Sequence, residues 1–394
     1  MITQNQTQPS QEASAVTIAD SLVRNAIERG ASDIHLEPTE RDLRVRFRID
    51  SMLYDKPAIS RRIATQLVSR FKVLARIDIA EKRIPQDGKF GISINDKVID
   101  LRVSTFPSLF GEKVVVRILD RTSHAMSLDQ LGLAPTMLPQ LKTLLERPHG
   151  FFLATGPTGS GKTTTLYAAL SLLHTPEKNT VTLEDPVEYS LAGITQGQIN
   201  PGAGFTFEKG IRSVLRQDPD ILMVGEIRDK QTATVAIEAA LTGHLVLSTL
   251  HTNDAPSVVV RLMDMGIEPF LINASLSGVL AQRLARKICP ACRVQVEADA
   301  HHLELKNKFG IINLPTYIGT GCSTCDGLGY KGRTGIFELL VLTDMLRTLI
   351  VKEPSPDKIH AQATADGMGS LLQDGLEKVA TGIISLDELA RVVA

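Results

Sequence analysis

Residues 156–164 read GPTGSGKTT, a G-x-x-x-x-G-K-T pattern set between an apolar run (FFLAT) and a helix-compatible run (TTTLYAALSLL). A strand before and a helix after are the context in which this pattern forms a phosphate cradle. Gly156, Gly159 and Gly161 let the backbone turn tightly and aim successive N–H groups at phosphate oxygens, with Pro157, Thr158 and Ser160 completing the loop. The helix entered through Thr163 and Thr164 adds the partial positive charge of its N-terminus. Lys162 has the reach to meet β- and γ-phosphates, and the Thr163 hydroxyl can ligate Mg2+. The bland alternative is a chance glycine-rich turn, and the correct flanks on both sides speak against it.

A cradle only binds. Hydrolysis also needs acids and a water-positioning group near the γ-phosphate, placed by the C-terminal ends of neighbouring parallel strands. Three apolar runs end in such groups: TVTLED in Glu184 and Asp185, ILMVGE in Glu226 with Arg228 and Asp229 beyond, and LVLSTLHT in His251 and Thr252. Glu226 stands where Mg2+ or attacking water must be held; the alternative is a solvated strand-end carboxylate. Glu184 is either a second such acid or the cap of a following helix. His244 and His251 bracket one strand and so lie roughly 23 Å apart. Both therefore cannot touch one phosphate. His251, at the phosphate end, is expected to sense the nucleotide and His244 to be structural.

The four cysteines form two C-x-x-C units, Cys289/Cys292 and Cys322/Cys325, with residues 293–321 between them. That gap exceeds the 15–20 residues of the commonest zinc pattern. Two such knuckles still suit tetrahedral thiolate coordination of Zn2+, in a closed and therefore structural site. A redox dithiol is the competitor, without a thioredoxin-like setting to support it.

The elements that must carry these groups are legible as periodicities. Residues 1–15 form a polar tail. In the first helix Val16, Ala19, Val23, Ala26 and Ile27 share a face, and Gly30 stops it. Strands follow at 33–37 and 42–50, the second alternating Leu43, Val45, Phe47 and Ile49 with Arg44, Arg46 and Arg48. The basic face is either a subunit contact or a solvent face. A helix over 61–79, a turn at 85–89 and strands at 98–105 and 113–119, flanking a loop with Pro107 and Gly111, complete an α+β domain over 16–120. Residues 121–135 read as a linker. From 136 to 394 short apolar strands alternate with helices, which argues for a parallel sheet covered on both faces. This α/β domain includes a cysteine element over 286–332 and a region from 335 onward that reads as helical, with caps at Ser355, Ser370 and Ser385.

Composition bounds the partners. The chain has 394 residues, 43 Lys plus Arg against 44 Asp plus Glu, 12 Phe, 5 Tyr and no Trp. A net charge of −1 gives no general attraction to nucleic acid or anionic lipid, and the scarcity of aromatics disfavours a base-stacking reader. No apolar run approaches a membrane span and the N-terminus has no secretory signal pattern. A cytoplasmic protein, meeting membranes only through partners, is expected.

Together GPTGSGKTTT, TLEDPVEY, LRQDPDILMVGEIRD and LTGHLVLSTLHTNDA resemble the type II secretion and type IV pilus assembly ATPases, hexameric P-loop motors. The resemblance extends through SDIHLEP, IAEKRIPQDGKF, RVSTFPSLFGEKVVVRIL and ICPACR, from about residue 16 onward. It implies a RecA-like ATPase core with a smaller N-terminal PAS-like α+β domain and a tetracysteine zinc element. It also implies ATP as substrate, a homo-hexamer, and an inner-membrane platform protein as partner, with the motor peripheral to that membrane. By the same resemblance GPTGSGKT is the Walker A segment, Glu184/Asp185 the Asp box, Glu226 the Walker B acid and LTGHLVLSTLH the His box. Arg102 and Arg117 match family residues that reach the γ-phosphate, a role that guanidinium geometry suits. The tetracysteine element marks assembly rather than retraction motors in that family. Pilus retraction or DNA uptake, and a nucleotide-gated scaffold with little turnover, are the alternatives. Two departures stand out. Only a short polar tail precedes the first helix, where many members carry a further domain, and Ser51 follows Asp50 where members commonly have Gly.

Overall fold

The computed structural model describes residues 14–94, 97–120, 126–352 and 354–393. The polar tail up to residue 13 and the first part of the expected 121–135 linker, residues 121–125, lie outside the described residues. The chain divides into two compact units, one up to residue 123 and one from residue 124.

In the first unit α1 (Ala15–Glu28) is capped by the Ser14 hydroxyl, which accepts from the Thr17 N–H at 3.2 Å. Then come β1 (Ala31–Pro38), β2 (Asp42–Ile49), β3 (Met52–Ser60), α2 (Arg61–Leu74), β4 (Gln86–Ile94), β5 (Lys97–Ser108) and β6 (Gly111–Asp120). The strands form one antiparallel sheet in the order β3-β2-β1-β6-β5-β4. Its alternation puts Ile34, Leu36, Val45, Phe47, Leu101, Val103, Val114 and Val116 inward, against Ala19, Val23, Leu67 and Phe71 of the two helices. A buried ion pair ties α2 to the β5–β6 hairpin: Lys72 Nζ lies 2.6 Å from Glu112 Oε1.

Several expectations for this unit are corrected. The stretch expected to be a turn at 85–89 is mostly strand, because β4 starts at Gln86 and pairs along β5. Its exposed polar residues alternate with half-buried ones as in any one-sided strand. The helix expected over 61–79 ends at Leu74, where Arg76 turns to φ +59°. The loop around Pro107 and Gly111 is a continuous hairpin, with Pro107 opposite Glu112. Unforeseen β3 pairs with β2 across a two-residue turn, Asp50–Ser51, both at positive φ (47° and 73°).

The second unit opens with a single helical turn (Leu128–Gln130), α3 (Met137–Leu145), β7 (Gly150–Thr155), α4 (Lys162–Leu173), β8 (Thr180–Glu184) and β9 (Thr195–Gln198). It continues through α5 (Phe207–Val214), β10 (Ile221–Val224), α6 (Lys230–Leu241), β11 (Leu245–Leu250), α7 (Ser257–Asp264), α8 (Pro269–Ser275) and β12 (Leu276–Ile288). The cysteine element carries β13 (Arg293–Val296), α9 (Ala300–Phe309) and β14 (Thr316–Gly319). The chain closes with β15 (Tyr330–Val341), α10 (Asp344–Lys352), α11 (Pro356–Ala365), α12 (Leu371–Ala380) and α13 (Leu386–Val393).

Seven strands form the sheet β15-β12-β7-β11-β10-β8-β9, parallel except for β15. Both faces are covered, which is why every residue of β7, β8, β10 and β11 is buried, with no alternation of buried and exposed positions. Phe151, Leu153, Leu222 and Val246 face Ala236 and Ile237 of α6, while Phe152, Ala154, Met223 and Leu247 face Leu166, Tyr167 and Leu170 of α4. The expectation of helix from 335 onward is corrected: β15 runs to Val341, antiparallel to β12 from Gly278 to Ile288, and helices begin only at Asp344. Ser370 does cap α12, accepting from the Gln373 N–H, and Ser385 accepts from the Glu388 N–H. Ser355 is the N-cap residue of α11 without a side-chain bond. Among the described residues no helix is long and apolar enough to cross a membrane.

Candidate active site

The loop between β7 and α4 is shaped by close approach. Gly156 sits at φ +144°, and a Cβ there would lie 2.4 Å from the Gln282 carbonyl oxygen. Gln282 also braces the loop from β12 by donating Nε2–H to the Ser160 carbonyl at 2.8 Å. The N-cap of α4 is Gly161, at φ +90°, with no side chain bonded to the first-turn N–H groups. Those donors are thus free to meet an anion at the helix N-terminus. Pro157, Thr158, Gly159 and Thr163 are exposed, Gly161 and Thr164 half-buried, and Ser160 buried. The Lys162 ammonium is buried and folded onto its own loop, donating to the carbonyls of Gly156 (2.8 Å) and Pro157 (3.1 Å). Burial brings its pKa down to about 8, with Arg283 adding to the fall and Glu226 opposing it.

The parallel strands β7, β8, β10 and β11 end at one edge, and the expected groups emerge there. Glu226 follows β10, and both its oxygens are held by Arg228, Nε to Oε2 at 2.7 Å and Nη2 to Oε1 at 2.6 Å. His251 Nε2, beyond β11, lies 3.7 Å from Glu226 Oε2. Burial, then the neighbouring Lys162 charge, holds His251 below the usual imidazole value, with Glu226 opposing the shift. His244 sits at the opposite end of β11, its Nδ1 2.9 Å from the Ala239 carbonyl oxygen. Glu184, the last residue of β8, does not cap a helix. Its buried carboxylate accepts from Thr182 Oγ1 at 2.5 Å, from Gln196 Nε2 at 3.1 Å and from the Tyr167 hydroxyl. Sequence proximity to Asp185 gave no hint of this network, which joins Thr182 of β8 to Tyr167 of α4 and Gln196 of β9.

Arg102 and Arg117 belong to the first unit, paired in register on β5 and β6. Arg117 Nε donates to Asp33 Oδ1 at 3.0 Å. The basic strand face of β2 is neutralised: Arg44 pairs with Asp55, Arg46 with Glu37, and Arg48 with Asp33.

With this geometry in view, comparison with known proteins is decisive. The family model described as type II/IV secretion system protein matches residues 8–391. The chain belongs to this family. It is 49% identical over 383 residues to the type II secretion system ATPase E of Vibrio cholerae, covering 97% of this chain and 76% of that protein. It is 46% identical to the type IV pilus assembly ATPase PilB of Thermus thermophilus, over 97% of this chain and 43% of that protein. Among solved structures it is similar to the pilus retraction motor PilT with bound ADP, at TM-score 0.63 and 25% identity over 94% of this chain and 95% of that one. It also shares the fold of the Legionella pneumophila ATPase DotB, at TM-score 0.70 and 20% identity over 98% and 97% of the two chains. The α/β reading with a P-loop ATPase core holds.

This type II/IV secretion family chain also brings its four cysteines together. Their sulfurs lie within 4.8 Å of one another, with Cys289–Cys322 at 3.9 Å, Cys292–Cys325 at 3.8 Å and Cys322–Cys325 at 3.7 Å. A tetrahedron with Zn–S bonds of about 2.3 Å has edges of about 3.8 Å, which these three separations match, so the four thiols are a donor set suited to Zn2+. Burial pushes the Cys325 thiol up, but the N–H groups of Cys322 and Gly329, at 3.3 and 3.2 Å, outweigh it and bring it to about 6. The pairing of Gln282 with the loop was missed; its one signal is a polar residue inside the apolar run VLAQRLA.

Proposed function

We propose that this chain hydrolyses ATP to ADP and phosphate and converts the energy into domain movement within a homo-hexamer. The work drives assembly of a pilus or secretion pseudopilus through an inner-membrane platform protein, from the cytoplasmic side. The observation that carries this reading is the shared strand edge: the open N-terminus of α4, buried Lys162, and Glu226 held beside His251.

In this reading the loop from Gly156 to Thr164 and the Lys162 ammonium hold the phosphates, and Lys162 exchanges its carbonyl partners for phosphate oxygens. Thr163 would hold Mg2+, which neutralises charge building on the phosphates. Release of one Glu226 oxygen from Arg228 lets that carboxylate take a proton from water as the water attacks the γ-phosphorus and the bond to the bridging oxygen breaks. Glu184, with its oxygens satisfied inside the protein, supports the wall behind this edge or acts as a second acid once its network opens. Arg102, Arg117 and His251 report the γ-phosphate. Cys289, Cys292, Cys322 and Cys325 hold a structural Zn2+, and that element favours assembly over retraction or DNA uptake.

Complementation tests the direction of work. In a cell lacking its own assembly ATPase, the wild-type chain restores extension or secretion and Lys162→Ala does not. Restoration of retraction instead, or of neither, contradicts the assembly reading.

A further inference from the structure

Glu338 lies inside the second unit, on β15, and is 2% exposed. A carboxylate so deep costs free energy unless its oxygens find donors. Both do, and both donors are backbone N–H groups. Oε1 accepts from Ala255 at 2.8 Å, in the loop that leaves β11 through His251. Oε2 accepts from Leu371 at 3.3 Å, the first residue of α12.

That loop is held residue by residue. Thr252 donates its N–H to Thr155 Oγ1, at the end of β7, at 2.9 Å. The Asn253 carbonyl accepts from Arg283 Nη2 on β12 at 2.8 Å, and Arg283 Nη1 is anchored on the Gln282 carbonyl at 3.2 Å. Asp254 Oδ1 accepts from the Ser257 N–H at 2.7 Å, turning the chain into α7. Ala255 closes the series on Glu338.

The register explains how two strands grip one loop. Ala281 on β12 is directly opposite Glu338, and Arg283, two residues on, shares their face of the sheet. Gln282 points to the other face, where its amide holds Ser160 of the phosphate loop. Neighbouring residues of one strand thus fix the phosphate loop on one face and the His251 loop on the other.

We propose that Glu338 and Arg283 are positioning residues for His251, holding its loop at a set distance from the phosphate loop so that the imidazole stays beside Glu226. The proposal rests on the reading that this site hydrolyses ATP, and it gives two further side chains a part in that reaction, exerted through the backbone of residues 253–255.

Steady-state hydrolysis of Mg·ATP by the whole chain tests it. Glu338→Gln keeps the size of the side chain but replaces one acceptor by a donor, so one of the two N–H groups loses its partner. It is expected to lower kcat at least about tenfold with KM and ADP affinity unchanged. Arg283→Lys keeps the charge without the fork and is expected to lower kcat in the same direction. In a His251→Ala background neither substitution lowers kcat further. Asp374→Asn is the control, because that buried acid of α12 also joins β15, accepting from the Phe337 N–H at 2.8 Å, but touches no loop of the site. It is expected to lower the melting midpoint and leave kcat unchanged. An equal loss of kcat in Asp374→Asn, or a Glu338→Gln loss that persists in full without His251, makes Glu338 structural and overturns the proposal. So does an undiminished kcat in His251→Ala. Wild-type turnover matched by Glu338→Gln and Arg283→Lys overturns the positioning role alone. No phosphate release even from wild type brings down the hydrolysis reading, and the positioning role with it.

Discussion

Lys162 is the residue on which the chemistry turns, and its environment makes it testable by pH. In the unfolded chain a lysine titrates near 10.5, whereas burial brings this one to about 8. Between those values the free site is largely deprotonated, and phosphate binding favours the charged form again. Binding then takes up a proton, so affinity for the imido analogue falls as pH rises from 8 to 10, by up to about tenfold per unit. Folding has the same depressed lysine and gains stability across this window as pH rises, because the desolvation penalty disappears with the charge. Lys162→Arg keeps its charge and is expected to lose the pH dependence of binding; an identical slope in the variant assigns the proton to another group. The loop was legible residue by residue because each type has a separate duty. Glu184 was only half legible: a strand-end acid shows in the sequence, but Tyr167 and Gln196, which take up its oxygens, come from other elements.

Among the elements, the β2–β3 hairpin carries a local conflict. Ser51 holds φ +73° in a two-residue turn of the kind that glycine occupies without strain. Ser51→Gly is expected to stabilise the first unit by about 0.5–1 kcal/mol, the relief of left-handed strain less the extra freedom of glycine in the unfolded chain. Denaturant unfolding checks it, and a loss of stability contradicts the turn geometry. The cysteine element makes a larger demand. Cys289→Ser is expected to lower zinc content below one per chain and the unfolding midpoint of the second unit by at least about 5 °C; an unchanged calorimetric trace argues against a structural site. Short buried strands such as ILMV were legible because only a two-sided parallel sheet wants them. β12 and β15 were not: LSGVLAQRLARKI is rich in helix formers, and only pairing with β7 and β15 makes it a strand. β4 was hidden for the opposite reason, since glycine and polar residues on its exposed face read as a turn.

For the molecule as a whole, a motor needs nucleotide chemistry in one unit to be sensed by the other. The second unit holds the loop, Glu226 and His251, and the first holds Arg102 and Arg117, paired in register on β5 and β6. Turnover at Glu226 is the premise beneath the ring, the platform partner and the direction of work. Release of inorganic phosphate from Mg·ATP by the purified chain, wild type beside Glu226→Gln, tests that premise directly. The expected result is steady release by wild type and at least about a hundredfold less by Glu226→Gln, with nucleotide still bound by both. Equal release by the two proteins, or none from either while both bind nucleotide, would contradict it.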